Sequence, residues 1–170
     1  MRLFPANRLL ILLIPVLMFG CSSRQPAILQ PSGQSGENPG QMEALKGKRE
    51  IVVRHAIDSV GTPYAWGGES PSEGFDCSGL VTYTHSRAGI SMPRTAQAQF
   101  KKGRPVPRSA LQPGDLVFFN APDKKNAVHV GIFIGRNNFV HAPGKGRTVI
   151  RSTLTNPYFK RYLKGARSFL

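Results

Sequence analysis

Acidic residues are scarce in this chain. Nine Asp and Glu stand against 23 Lys and Arg, giving a net charge of +14 over 170 residues. That balance disfavours cationic partners. It suits either a plain soluble basic surface or attraction to an anionic one, such as phospholipid, lipopolysaccharide or cell-wall carboxylates. Cysteine is nearly absent, at positions 21 and 77 alone. A multiply disulfide-stapled scaffold is therefore excluded. No apolar run is long enough to cross a bilayer. The longest, Leu9 to Phe19 with one break at Pro15, has eleven residues, where about 20 are needed. No internal repeat is visible, so a solenoid is excluded as well.

What is present begins with an export signal. Arg2 and Arg8 precede the apolar run, and the segment closes on Phe19-Gly20-Cys21. A small residue followed by Cys here resembles the lipobox of bacterial lipoproteins. The resemblance implies cleavage before Cys21 and lipid on its sulfur and on the new N-terminus. An ordinary secreted protein with an incidental Cys21, or a permanent signal anchor, are the alternatives. Ser22, rather than Asp, after the lipidated Cys is similar to lipoproteins sent on to an outer membrane, facing the periplasm. Export also argues against a nucleic-acid partner for the basic surface.

Residues 1–20 thus read as a lipoprotein signal peptide and 21–46 as the lipidated Cys plus a flexible linker. The linker carries Pro26, Pro31, Pro39, Gly33, Gly36 and Gly40 among Ser and Gln, a composition that buries too little surface to fold. Residues 47–170 remain as one domain, large enough to bury about two-thirds of its unfolded surface. No separate wall-binding module is visible, so targeting is left to the lipid anchor through Cys21 or to protein adaptors.

Within the domain, Lys48 to Val60 reads as an amphipathic helix with Val53, Ala56, Ile57 and Val60 on its apolar face. Thr62 to Gly68 is an extended segment entering a Gly-rich loop. A second helix runs from Cys77 to about Arg87 with Asp76 as N-cap, and a short third one from Arg94 to Lys102. The period then changes. Leu116–Phe119, Val128–Ile134, Phe139–Ala142, Thr148–Ser152 and Gly165–Phe169 read as strands, with turn chemistry at Gly135 to Asn138. Helices followed by successive strands predict an α+β fold, N-terminal helices packed on an antiparallel sheet. Asn120 to Ala127, polar and charged, is a candidate mobile loop.

The chemistry centres on Cys77. If Cys21 is lipidated, Cys77 has no partner for a disulfide and is a candidate reactive thiol. At a helix start, unpaired N–H groups and the helix dipole favour its thiolate. A nucleophilic thiol needs a base and a group that orients the base. His85 lies eight residues along the same helix, about 12 Å away, out of reach. His55 sits among Lys48, Arg49 and Arg54 on a solvated face. His129 and His141 fall on the two strands of an expected hairpin, an arrangement in which they could share one face within hydrogen-bond reach, with small Gly131 leaving room beside His129; spacing alone does not set the register. One imidazole would take the thiol proton, or share an ion pair with it, and the other would set its tautomer. A zinc site built from Cys77, His129 and His141 uses the same ligand types and is the chemical competitor.

Six ordered blocks then resemble one family, the NlpC-type cell-wall cysteine peptidases. They are Gly61-Thr62-Pro63-Tyr64-Ala65-Trp66-Gly67-Gly68; Phe75-Asp76-Cys77-Ser78-Gly79-Leu80-Val81; Met92-Pro93-Arg94-Thr95 with Gln99; Leu111 to Phe119; His129 to Gly135; and Phe139-Val140-His141-Ala142. The resemblance implies a papain-like core and a Cys77, His129, His141 triad with no metal or other cofactor. It places Tyr64 beside the nucleophile and Asp76, Ser78 and Arg94 along the substrate site. Trp66 is expected to pack in the core. The implied activity is hydrolysis of peptide bonds in peptidoglycan stem peptides or cross-links, next to a D-amino acid or diaminopimelate. A catalytically silent wall-binding lipoprotein, and an amidase or acyltransferase on the same fold, are the alternatives.

Overall fold

Asn38 opens the first helix, α1 (Pro39–Asp58), and its side chain accepts the Gly40 N–H at 3.1 Å. Pro at the first helical position after an Asn cap is a helix start, because its missing N–H would be unpaired there anyway. The computed structural model describes residues 38–121 and 127–170. The signal segment 1–20, Cys21 and residues 122–126 of the expected mobile loop lie outside them. The linker was expected to run to residue 46, but helix begins at Pro39. Met42, Glu43, Ala44, Leu45 and Lys46 are good helix formers, and their turns are largely exposed. The buried residues of α1 are Val52 and Ala56; of the expected stripe Ala56 is buried, Val53 and Ile57 are half-buried, and Val60, past the helix end, is exposed.

A two-strand hairpin follows, β1 (Glu69–Ser70) with β2 (Gly74–Phe75), and leads into α2 (Cys77–Ser86) and α3 (Ala96–Lys102). The remaining strands are β3 (Arg104–Val106), β4 (Leu116–Asn120), β5 (Val128–Gly135), β6 (Asn138–His141), β7 (Ile150–Thr153) and β8 (Leu163–Ser168), with α4 (Pro157–Tyr162) before β8. They form one antiparallel sheet in the order β3-β8-β4-β5-β6-β7. The α+β arrangement expected from the sequence is the one found. The short β1, β2, β3 and α4 were not foreseen, since two to six residues carry too little periodicity to read.

Strand alternation splits the core by sheet face. Phe118, Val130, Ile132 and Val140 pack against Val52 and Ala56 of α1 and Leu80 and Val81 of α2. Val117, Phe119, Phe133 and Phe139 form a second cluster with Leu154, and Phe159 of α4 packs on it. Each buried side chain of this size contributes about 1.5–3 kcal/mol of burial energy. Arg49 ties α1 to the turn before β4, donating to Asp115 Oδ1 at 3.0 Å and to the Pro113 carbonyl at 2.9 Å.

Trp66 is not in the core. It is 86% exposed. The Ala65–Gly68 turn, closed by Gly68 N–H to Ala65 O at 3.1 Å, turns its side chain outward while bringing the Gly67 N–H to Asp76.

Candidate active site

The start of α2 is built around one carboxylate. Asp76 is extended, with φ −86° and ψ 173°, and its Oδ1 accepts the Gly79 N–H at 2.6 Å. The same oxygen accepts from Ser78 Oγ and Arg94 Nη1, both at 3.0 Å. Oδ2 accepts from Arg94 Nη2 at 2.7 Å and from the Gly67 N–H at 3.1 Å. The pair is thus bidentate. Arg94 also bonds Ser78 Oγ and pairs with Glu69. Burial opposes ionisation of Asp76, but the hydrogen bonds from Arg94, Gly79 and Ser78 outweigh it and hold the carboxyl below its ordinary range. Gly79 is required here by close approach: a Cβ would sit 2.0 Å from the Gly68 carbonyl oxygen. Gln99, buried on α3, donates to the carbonyls of Ser78 and Pro93 at 3.2 and 2.8 Å, pinning the same turn.

Cys77 is half-buried at the first position of α2. The backbone N–H groups of Val130, Ser78 and Cys77 itself point at its sulfur. Val130 follows His129 directly, so the sulfur lies one peptide unit from that residue. Burial nevertheless pushes the thiol above its ordinary value, and the Asp76 charge adds to this. The helix start does not win, which reverses the expected thiolate.

The histidines meet as expected. His129 Nε2 and His141 Nδ1 are 2.7 Å apart. The β5–β6 register pairs Ile132 with Val140; continued by one step it sets His141 opposite Gly131, so His129 is its diagonal neighbour on the same face. The same geometry recurs across β6–β7. His141 pairs with Ile150, and Ser152, two residues on, bonds His141 Nε2 at 2.9 Å. Three side chains therefore run diagonally across three strands. The room left by Gly131 is filled by Phe139, whose Cδ2 would be 2.5 Å from an added Cβ. The Phe139 ring in turn buttresses His141 at 5.0 Å between centroids. Burial lowers His129 to about 4; burial, His129 and Arg147 lower His141 to about 3. Both are neutral near pH 7.

In a zinc arrangement these two nitrogens would point at an ion; here they bond each other. Among the described residues no three His, Cys, Asp or Glu side chains group as metal ligands. Tyr64, half-buried, lies close enough to Cys77 and Asp76 that burial and those two groups raise its phenol above 10.0, keeping an O–H donor. His85 is fully buried and bonds the Val81 carbonyl, away from the thiol. His55 is half-buried, edge-on to Tyr83. Sequence reasoning missed Ser152 and the Val130 N–H. A serine on a strand carries no local signal, and a backbone donor carries none at all.

The family model described as the NlpC/P60 family matches residues 61–168. Murein DD-endopeptidase MepH of Escherichia coli K12 is 38% identical over 121 residues, covering 69% of this chain and 45% of that protein. Gamma-DL-glutamyl hydrolase of Bacillus subtilis 168 is 41% identical over 119 residues, covering 69% of this chain and 29% of that one. The chain thus aligns with less than half the length of either relative. A solved NlpC/P60 family protein from Bacillus cereus ATCC 10987 superposes with a TM-score of 0.66 at 35% identity, over 72% of this chain and 40% of that one. Fold, motif order and the span of the match agree: the chain belongs to the NlpC/P60 family.

Proposed function

We propose that this protein is a thiol endopeptidase that cuts peptide bonds in peptidoglycan stem peptides or cross-links. The observation that carries the reading is the diagonal relay from His129 through His141 to Ser152, together with the N–H of Val130, the residue after His129, at the sulfur of a cysteine that starts a helix. The names of the relatives, a murein endopeptidase among them, support the substrate class.

The relay sets the tautomers. For His129 to accept a proton at Nδ1, its Nε2–H donates to His141 Nδ1. His141 then carries its hydrogen on Nε2 and donates to Ser152 Oγ. The Cys77 proton passes to His129 Nδ1 as the sulfur attacks the scissile carbonyl. The Cys77 N–H and the Tyr64 hydroxyl stabilise the oxyanion. The C–N bond breaks as the His129 imidazolium returns the proton to the leaving amine. Water, activated by the same His129, hydrolyses the thioester and restores the thiol. Asp76, Ser78 and Arg94 line the acyl side.

The test is digestion of purified sacculi with wild type and Cys77→Ala, and identification of fragments by mass spectrometry. New peptide–peptide cuts that vanish in Cys77→Ala are expected. No Cys77-dependent fragment would leave a wall-binding protein, and a cut between sugar and peptide would make it an amidase. Transfer without hydrolysis would make it an acyltransferase.

We also infer that Cys21 is lipidated and holds the domain at the cell envelope, facing the periplasm from the outer membrane. The apolar segment ending in Gly20-Cys21-Ser22 supports this. Cys21→Ser should move the protein from the membrane to the soluble fraction; an unchanged distribution would refute the anchor.

A further inference from the structure

The site has two sides. Tyr64, Asp76, Ser78 and Arg94 gather on the α2 side. On the other sheet face a cavity of about 520 Å³ opens beside the histidines, lined by His129, His141, Arg147, Asn156, Tyr158 and Phe159 among others. Among the described residues no acidic side chain lines it. Arg147 is exposed, and its guanidinium pairs with no carboxylate among the described residues. It lies close enough to His141 to oppose that ring's protonation. Its backbone is held, since the Arg147 carbonyl accepts the Tyr64 N–H at 2.8 Å. Asn156 Oδ1 is taken by the Tyr158 N–H at 2.9 Å, which leaves the amide NH₂ as donors. Phe119 and Phe159, 5.0 Å apart, make an apolar wall.

We propose that this cavity seats the residue on the leaving-amine side of the scissile bond, and that Arg147 binds the free carboxylate of that residue. The inference rests on the endopeptidase reading. His129 returns its proton to the leaving nitrogen, so that nitrogen sits at His129, where the cavity begins. A residue such as diaminopimelate, linked through its side-chain amine, has a carboxylate on the carbon next to that nitrogen. The guanidinium and the Asn156 amide suit the carboxylate, and the aromatic wall suits the aliphatic carbons.

The test uses matched cross-linked peptides whose amine-side residue carries either a free carboxylate or a carboxamide. Wild type is expected to favour the acid by about tenfold or more in kcat/KM, the range of one charge-assisted hydrogen bond. Arg147→Gln should slow the acid alone and bring the two peptides within about twofold, while Arg147→Lys keeps part of the preference. Wild-type indifference to amidation, or equal slowing of both peptides by Arg147→Gln, overturns the proposal. Titrating the amine-side fragment, as acid and as amide, into the Cys77→Ala protein separates the two readings. An Arg147-dependent preference for the acid sustains the subsite even where wild type cuts neither peptide. In that case the endopeptidase reading is the one that fails. No such preference overturns the subsite whatever the hydrolysis result.

Discussion

Alkylation of Cys77 as a function of pH separates two charge states of the same side chains. The helix start and the three N–H groups at the sulfur favour a thiolate, but burial is the larger influence and Asp76 reinforces it. His129, at about 4, does not carry a proton at pH 6 or 7. The resting site is therefore thiol plus imidazole. An ordinary thiol, with a pKa of about 8.5, is about 3% ionised at pH 7 and about 0.3% at pH 6. Cys77 holds less. Its rate of reaction with iodoacetamide should rise about tenfold per pH unit, or about 100-fold from pH 5 to pH 7. A cysteine ion-paired with imidazolium, with a pKa of about 3–4, is already ionised and would give a flat profile over that range. Slope decides better than rate, because a low-pKa thiolate is also a weaker nucleophile. His129→Ala should leave the rising slope intact. Asp76→Asn keeps a helix cap but removes the charge that disfavours the thiolate, so the whole curve should shift to lower pH. A plateau from pH 5 to 7 that His129→Ala abolishes would refute the neutral pair.

Ser152→Ala removes the partner of the His141 Nε2–H and leaves that group buried and unpaired. A loss of about 5- to 30-fold in kcat/KM with little change in KM is expected, and Ser152→Thr should restore most of it; unchanged kcat/KM in the alanine variant would refute the relay. Asp115→Ala leaves Arg49, whose side chain is only 12% exposed, without its carboxylate partner. Urea unfolding should show a loss of about 3–5 kcal/mol, and a loss under about 1 kcal/mol would mean the pair behaves as a surface bridge.

The positions of α2, β4, β5 and β6 were legible because their signals are local. Asp76 before an apolar-periodic run is a cap, and alternation with turn residues at 135–138 is a hairpin. Arg136 and Asn137, at φ 49° and 60°, form that turn. The start of α1 was missed because Pro and Gly signal both linkers and helix starts, and only the Asn38 side-chain bond tells them apart. Trp66 was misplaced for a related reason. An aromatic residue in an extended segment packs inward unless a turn points it out, and the turn exists to bring Gly67 to Asp76. His129 and His141 could be placed on one hairpin from their spacing. Ser152 could not, because its strand adds a second register set by contacts that span the sheet.

By itself the sequence determined the order of the chemistry: a cysteine at a helix cap, then two histidines on neighbouring strands. Residue type, spacing and turn residues are written along the chain and suffice for that. The tertiary structure alone decided the charge state of the three groups, the serine that completes their relay and the Arg147 cavity beside them. Those depend on how much water each group loses and on which strands lie side by side, and both are properties of the packed sheet rather than of any one segment.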